Sequence, residues 1–302
     1  TTTTTATPTT TTTTSAEAAA DEHIEAAKTA IGDAADALDE QSDQFGGVTD
    51  GSGVDVNPTA IEGYLDTARD ELDAAAETAS SDQRDRIAGL RSVVGWLAAL
   101  ADTLDTFADG YTALQTGLTL FQSERYEDAI DKLDTSIRNL EDAADAATVA
   151  ADAAEEIDAG DFEDAEEFEV AEIRTTMEDL RQLIDAMLAM ATGFQDITRG
   201  MQDFSTAAQQ YDSGDYAAAG DDFEAARDDF GTAEATFKDA EGSVPAEVES
   251  SFVELTCYSG ALKDSADLFA QASDAAESGD NETARQKAEE ASAALDRCEF
   301  GD

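Results

Sequence analysis

The side chains of this sequence that could do chemistry are two cysteines, one histidine and a large excess of carboxylates. Cys257 and Cys298 flank the turn-like segment ESGDN, and the midpoint between them falls next to Ser278. Residues equidistant from the turn of an antiparallel helical hairpin lie opposite each other, which meets the requirements of a disulfide. We predict this disulfide, with two buried free thiols as the alternative. A metal site is disfavoured because no histidine is nearby in the sequence.

Catalytic arrangements are hard to build from this sequence. His23 is the single histidine and lies in an alanine-rich segment, so no Ser-His-Asp or Cys-His set can form around a buried cleft. Neighbouring carboxylates are expected by chance among 70 acidic residues, and they indicate no acid–base pair. The segment GGVTDGSG follows no strand and precedes no lysine, unlike a phosphate-binding loop. The sequence therefore predicts no enzymatic activity and no cofactor.

A calcium site is the one metal site that the loops suggest. Asp50, Ser52 and Asp55 are close together in the glycine-rich segment FGGVTDGSGVDVNP. The segment lacks the final bidentate glutamate of an EF-hand. A solvated loop is the favoured interpretation, and we predict no metal site.

Threonine hydroxyls and one asparagine amide are candidate sites of sugar attachment. Twelve of the first fourteen residues are threonine, and a threonine-rich segment with proline is typical of an O-glycosylated stalk. Residues 281–283 read Asn-Glu-Thr, an N-glycosylation sequon at a turn. The candidate sites are Thr1, Thr2, Thr3, Thr4, Thr5, Thr7, Thr9, Thr10, Thr11, Thr12, Thr13, Thr14 and Asn281.

The threonine-rich tail, residues 1–15, has no large apolar side chain with which to join a core. We predict an extended segment, either a glycosylated stalk or an arm that lies against a neighbouring subunit in an assembly. A chain that begins on threonine rather than methionine is expected when a leader has been removed. Together with the predicted disulfide, this favours an exported protein.

The charge of the chain indicates its solvent and excludes one class of partner. The formal net charge is −53, yet 41% of the residues are hydrophobic, so we expect a folded protein with an acidic surface. At molar salt the Debye length falls to about 3 Å and screens most of the repulsion. Aspartate exceeds glutamate and only five residues are lysine, a composition that resembles the proteins of halophilic archaea. Nucleic acid is excluded as a partner because there is no basic surface.

No membrane-spanning segment is predicted from the sequence. The most apolar stretch, VVGWLAALADTL, is shorter than the roughly 18 residues that a spanning helix needs, and it contains Asp102.

The elements that must position these side chains are predicted to be α-helices throughout. Apolar residues recur at helical spacing in eight segments, 16–44, 58–78, 82–121, 126–158, 162–211, 215–240, 246–277 and 281–299. The fifth has the clearest seam, and we expect it to be interrupted or bent near Gly193 or Gly200. The predicted fold is all-α. Residues 16–302 are expected to form one domain, an irregular stack of long antiparallel hairpins behind the tail.

Four predicted turns share a pattern: QSERYEDAI, DAGDFEDAE, DSGDYAAAG and ESGDNETAR. Each has an aromatic residue or asparagine followed three residues later by alanine. The pattern resembles the helix-to-helix turn of tetratricopeptide repeats and is clearest at 113–140 and 204–230. The resemblance implies stacked hairpins that make protein–protein contacts. The aromatic (or asparagine) positions are 36, 54 and 65 residues apart rather than a constant 34, so the stack is expected to be irregular.

The function predicted from the sequence is therefore protein–protein contact at the surface of a halophile. We favour a self-assembling subunit of a filament or surface layer, whose partners are other copies of itself or other surface proteins. The alternative is a monomeric ligand-binding or adhesin module tethered by a stalk.

Overall fold

The computed structural model describes residues 10–45, 58–155, 157 and 170–298. All regular structure in this part of the chain is helical, so the predicted all-α class is confirmed. The helices are α1 (Thr10–Phe45), α2 (Pro58–Thr78), α3 (Ser81–Gln122), α4 (Tyr126–Glu155), α5 (Val170–Ser213), α6 (Tyr216–Ala240), α7 (Ala246–Glu277) and α8 (Asn281–Leu295).

The start of α1 corrects the prediction of an extended tail over residues 1–15. The helix begins at Thr10, six residues before the predicted start at Ala16. A threonine in a helix costs at most about 0.7 kcal/mol relative to alanine. Extension of an existing helix also needs no new nucleus. The threonines from Thr10 to Thr14 are therefore helical, and residues 1–9 lie outside the described residues.

Two compact units divide the chain, and α3, α4 and α5 each contribute to both. The first unit comprises residues 1–108 and 143–180. Its core includes the predicted apolar stripe of α1, which packs against α2 and the first part of α3. The largest fully buried side chains of this core are Ile24, Ile61, Leu65, Leu72, Ile87 and Leu97.

The second unit comprises residues 109–142 and 181–302. Its core is rich in phenylalanine, and α7 packs against both α6 and α8. Four phenylalanine rings of α6 and α7 are fully buried: Phe223, Phe230, Phe237 and Phe252.

Glycines in this second unit allow the close approach of helices. A Cβ on Gly193 would lie 2.3 Å from the ring of Phe237, and one on Gly200 would lie 2.6 Å from the ring of Phe230. Of the two predicted alternatives, an interruption at these glycines is wrong, because the helix runs unbroken from Val170 to Ser213, and a bend there stays a prediction. The two glycines instead let the rings of α6 pack directly on the backbone of α5.

Three of the four predicted turns are described, and their backbones follow the same path. In each, a residue with positive φ follows the helix, namely Glu124 (57°), Gly214 (87°) and Gly279 (81°). The next amide then donates to a carbonyl five residues back, as in a Schellman motif (Arg125 to Leu120, 3.0 Å; Asp215 to Gln210, 2.9 Å; Asp280 to Ala275, 2.8 Å). The fourth turn, DAGDFEDAE, lies outside the described residues.

The alanine of the shared pattern is buried at each described turn. Ala129, Ala219 and Ala284 are each at most 3% exposed. At two turns a ring of the preceding helix also packs across the turn, with centroid distances of 6.0 Å for Phe121–Tyr126 and 5.1 Å for Tyr211–Tyr216. The small alanine therefore allows each new helix to begin close to its neighbour.

By length and composition, α3 is the one described helix that could cross a membrane. Its most apolar window is 56% buried within the protein. A core helix has the same properties, so this is weak evidence for membrane insertion.

Candidate functional site

The two cysteines meet as predicted. Cys257 near the middle of α7 and Cys298 just after α8 form a disulfide, with their Cα atoms 6.0 Å apart. The bond joins helices that the turn at Ser278–Asp280 already makes antiparallel. The ion pair between Arg297 and Asp264 (2.6 Å) lies on the same hairpin.

His23 takes part in a contact between helices. Its Nδ1 lies 2.6 Å from a carboxylate oxygen of Glu71, which joins α1 to α2. The Gln83 amide joins α3 to the same helix α1, where it donates to Asp21 (2.7 Å) and to the Glu17 carbonyl (2.9 Å). The arrangement ties the start of α1 to the helices beside it.

The predicted sugar-attachment sites are described only in part. Asn281 is exposed at the first residue of α8. The hydroxyl of Thr283, the third residue of the sequon, donates to Asp280 at 2.7 Å. Of the candidate threonines, those from Thr10 to Thr14 begin α1, and the earlier ones lie outside the described residues. The calcium candidates Asp50, Ser52 and Asp55 also lie outside them.

The first unit contains a groove formed by α2, α3 and α4, with a volume of about 640 Å³. Apolar residues line it from all three helices. Leu65 of α2 and Ala101 of α3 are almost fully buried, and Ala98 beside them is half-buried. Val149 of α4 lines the groove and is 61% exposed.

The same groove has an acidic rim. Glu62 and Asp66 line it from α2, and Asp102 and Asp105 line it from α3. The one cation in the lining, Arg69, pairs with Asp66 at 2.7 Å. Four carboxylates and one guanidinium give the lining a formal charge of −3. An apolar base with a charged rim is an arrangement that binds amphipathic ligands.

The second unit contains a row of carboxylates between α5 and α6. Asp196 and Asp203 are seven residues apart on α5, and Asp222 and Asp229 are seven apart on α6. Burial, together with the charges of Asp203 and Asp196, raises the pKa of Asp229 to about 6. Burial also raises the pKa of Asp196, which is only 8% exposed and accepts a hydrogen bond from Arg199 at 3.3 Å.

A third aspartate of this row, Asp203, also has a raised pKa. Burial and the charge of Asp222 raise the pKa of Asp203, and Asp222 accepts a hydrogen bond from Gln210 at 2.8 Å. Among the described residues, no group of three or more histidine, cysteine or acidic side chains is arranged to hold a metal ion.

In comparisons with known proteins, no family model, curated protein or solved structure matches this chain. The candidate function therefore has to be inferred from the geometry of the chain itself.

Sequence reasoning missed both the groove and the carboxylate row. The seven-residue spacings of Asp196–Asp203 and Asp222–Asp229 are a signal that was available, because that spacing repeats one face of a helix. The groove has no comparable signal in the amino-acid sequence. Its lining comes from three helices whose relative positions depend on tertiary packing.

Proposed function

We propose that this protein is an extracellular, non-enzymatic module that binds another protein. The observation that carries the proposal is the groove of the first unit, where Val149 is exposed beside an apolar base of small side chains. Exposed apolar surface with a polar rim is typical of protein–protein contacts. Function at the cell surface is supported by the Cys257–Cys298 disulfide, because such bonds persist in oxidising compartments.

The helical hairpins of this module are proposed to be tetratricopeptide-like. Support comes from the three turns of equal backbone path and from the buried alanine at each of them. The surrounding solvent is proposed to be the concentrated salt of a halophile. The formal charge of −53 supports this, since dilute buffer leaves such charge unscreened.

Self-assembly into a filament or surface layer is the second candidate function. Val253 on α7 and Leu295 on α8 favour it, because both are apolar and more than 40% exposed. An assembly would need such surfaces to be repeated between copies.

Light scattering behind a sizing column separates these two functions. We expect the measured mass to be that of a single chain at about 0.15 M and at about 2 M salt, and at all protein concentrations. Multiples of that mass that grow with concentration would overturn the binding-module proposal and favour self-assembly.

Peptide mapping without reductant, on protein from its native source, should find Cys257 cross-linked to Cys298. Two alkylated thiols would contradict the extracellular location.

A further inference from the structure

The carboxylates at the rim of the groove favour a positively charged occupant. Arg69 is engaged by Asp66, and the lining as a whole keeps a formal charge of −3. Glu62 and Asp102 are exposed at its edge. An anionic or acidic occupant would meet these carboxylates as like charges and be repelled. A cationic occupant is attracted to them.

The base of the groove selects the shape of its occupant. Ala98, Ala101 and Ala146 are small, so a rod can approach the backbone of α3 and α4 closely. Apolar side chains spaced as i, i+3, i+4 and i+7 on one face of a helix fit such a groove. Val149, which is exposed in the free protein, would then be covered by that face.

The residues of this sequence that lie outside the described part do not carry the charge that complements the groove. The parts of the chain outside the described residues, 1–9, 46–57, 156, 158–169 and 299–302, contain no lysine or arginine. They therefore cannot supply the complementary charge. A second copy brings another −53 of formal charge. At about 0.15 M salt, where the Debye length is about 8 Å, repulsion between two such copies opposes their association.

We propose that the groove of α2, α3 and α4 binds an amphipathic helix of another protein, with an apolar face flanked by lysine or arginine. This inference rests on the proposed function and adds the chemistry of the partner. The apolar face covers Val149 and the alanine base, and the flanking cations meet Glu62 and Asp102.

The test uses a fluorescein-labelled peptide of about 18 residues, with leucine and alanine on one helical face and lysines on its flanks. Its affinity for the full chain is measured by fluorescence anisotropy at about 0.15 M salt. A peptide with glutamine for each lysine and a scrambled peptide of the same composition are the ligand controls. Hydrogen exchange with and without the peptide locates the binding site.

Matched pairs of variants test the site. Val149→Arg should weaken binding at least about tenfold, because it places a cation and a longer side chain in the groove, whereas Val253→Arg in the second unit should change it less than about twofold. Glu62→Gln combined with Asp102→Asn should weaken binding about fivefold. Asp33→Asn combined with Asp36→Asn removes the same charge from the exposed surface of α1 and should have little effect. Thermal unfolding confirms that each variant is folded.

Four outcomes would overturn the inference. Equal binding of the glutamine peptide in the groove would remove the charge selection while leaving a protein-binding groove, so the proposed function would survive. Equal losses from both pairs of carboxylate variants, or equal binding of the scrambled peptide, would show diffuse attraction to an acidic surface. Oligomers of the wild-type chain that Val149→Arg dissociates would make a second copy the occupant, and the proposed function would fail as well.

Discussion

Asp229 is partly buried on α6 and faces Asp196, Asp203 and Arg199 of α5, with Asp228 beside it on its own helix. A proton on its carboxyl removes both the cost of burial and the repulsion from the facing carboxylates. Its pKa of about 6 in the folded protein lies above the ordinary value of 3.8. Between these values the folded state binds more protons than the unfolded state. The contribution of Asp229 to stability therefore rises as the pH falls from about 7 to about 4.

Asp229→Asn should accordingly raise the free energy of unfolding at pH 7.5 and have less effect at pH 5. The measurement is the urea midpoint of wild type and variant at several pH values between 7.5 and 4.5. Asp221→Asn is the control, since this exposed aspartate of α6 undergoes the same change in charge. An equal gain for both variants at all pH values would mean that only total charge matters.

Gly193 and Gly200 permit the direct packing of phenylalanine rings on α5. Gly193→Ala should lower the free energy of unfolding by about 1–3 kcal/mol, because the fully buried ring of Phe237 cannot move away from the new methyl group. Gly95→Ala is the control, since a Cβ there meets no atom within 4 Å. It should raise the free energy of unfolding by about 0.5–1 kcal/mol through helix propensity. Chemical unfolding measures the free energy of unfolding of both variants. If both variants are more stable than the wild type, the close packing of Phe237 on Gly193 is contradicted.

Single residues also show the limit of prediction from sequence. The disulfide was predictable because hairpin symmetry places Cys257 opposite Cys298 without further knowledge of the fold. The local sequence around Gly193 does not distinguish a glycine that interrupts a helix from one against which an aromatic ring packs. The distinction depends on Phe237, 44 residues further along the chain.

At the scale of the elements, the turn after α3 differs from its two counterparts in the residue that has positive φ. Glu124 has a φ of 57°, where the equivalent positions are Gly214 and Gly279. A left-handed conformation costs a residue with a Cβ about 1–2 kcal/mol. Glu124→Gly should therefore raise the free energy of unfolding by up to about 1 kcal/mol, after the entropy that glycine adds to the unfolded chain. Gly214→Ala should lower it by about 1 kcal/mol. Urea unfolding measures both, and a destabilised Glu124→Gly would show that its side chain has another role.

We expect the stable packing of helix α8 to depend on the Cys257–Cys298 disulfide. It has 15 residues and buries only Ala284, Ala291 and Ala294 against the rest of the protein. The sequence separation of the cysteines is 41, a loop that in the chain-entropy model stabilises by roughly 4 kcal/mol. Three alanine methyl groups cannot replace a contribution of that size.

Replacement of Cys257 and Cys298 by serine should therefore lower the free energy of unfolding by about 2–4 kcal/mol. Amide exchange should increase first in α8 and later in α6. Arg297→Gln is the control, because its exposed ion pair with Asp264 should contribute less than about 1 kcal/mol. Uniform exchange throughout the second unit would indicate that α8 does not open separately.

The element boundaries were largely predictable where local signals mark them. Pro58 begins α2, and the Ser-Gly-Asp turns end α5 and α7, all within about two residues of prediction. The start of α1 was missed because threonine propensity is a weak signal that an existing helix overrides. The groove was missed because it is a property of three helices together.

At the scale of the whole molecule, the acidic surface opposes folding, and the small side chains of the interior stabilise the folded state only weakly. Many of the buried residues are alanine, each of which contributes little apolar area. Several ion pairs among the described residues are exposed pairs three or four residues apart, and such pairs stabilise by about 0–1 kcal/mol each. Neither the buried alanines nor these ion pairs offset the self-repulsion of a net charge of −53 in dilute buffer.

We therefore expect the thermal midpoint, followed by circular dichroism, to rise with added salt. The rise should be steepest below about 0.5 M, where the Debye length shortens most, and more gradual above it. A variant with several exposed aspartates of α1 and α2 changed to asparagine, including Asp33, Asp36 and Asp70, should show a smaller rise over the lower range. Equal effects of sodium chloride and potassium chloride below 0.5 M would identify screening as the cause. Full helicity and an unchanged midpoint at about 10 mM salt would contradict the proposed halophilic setting.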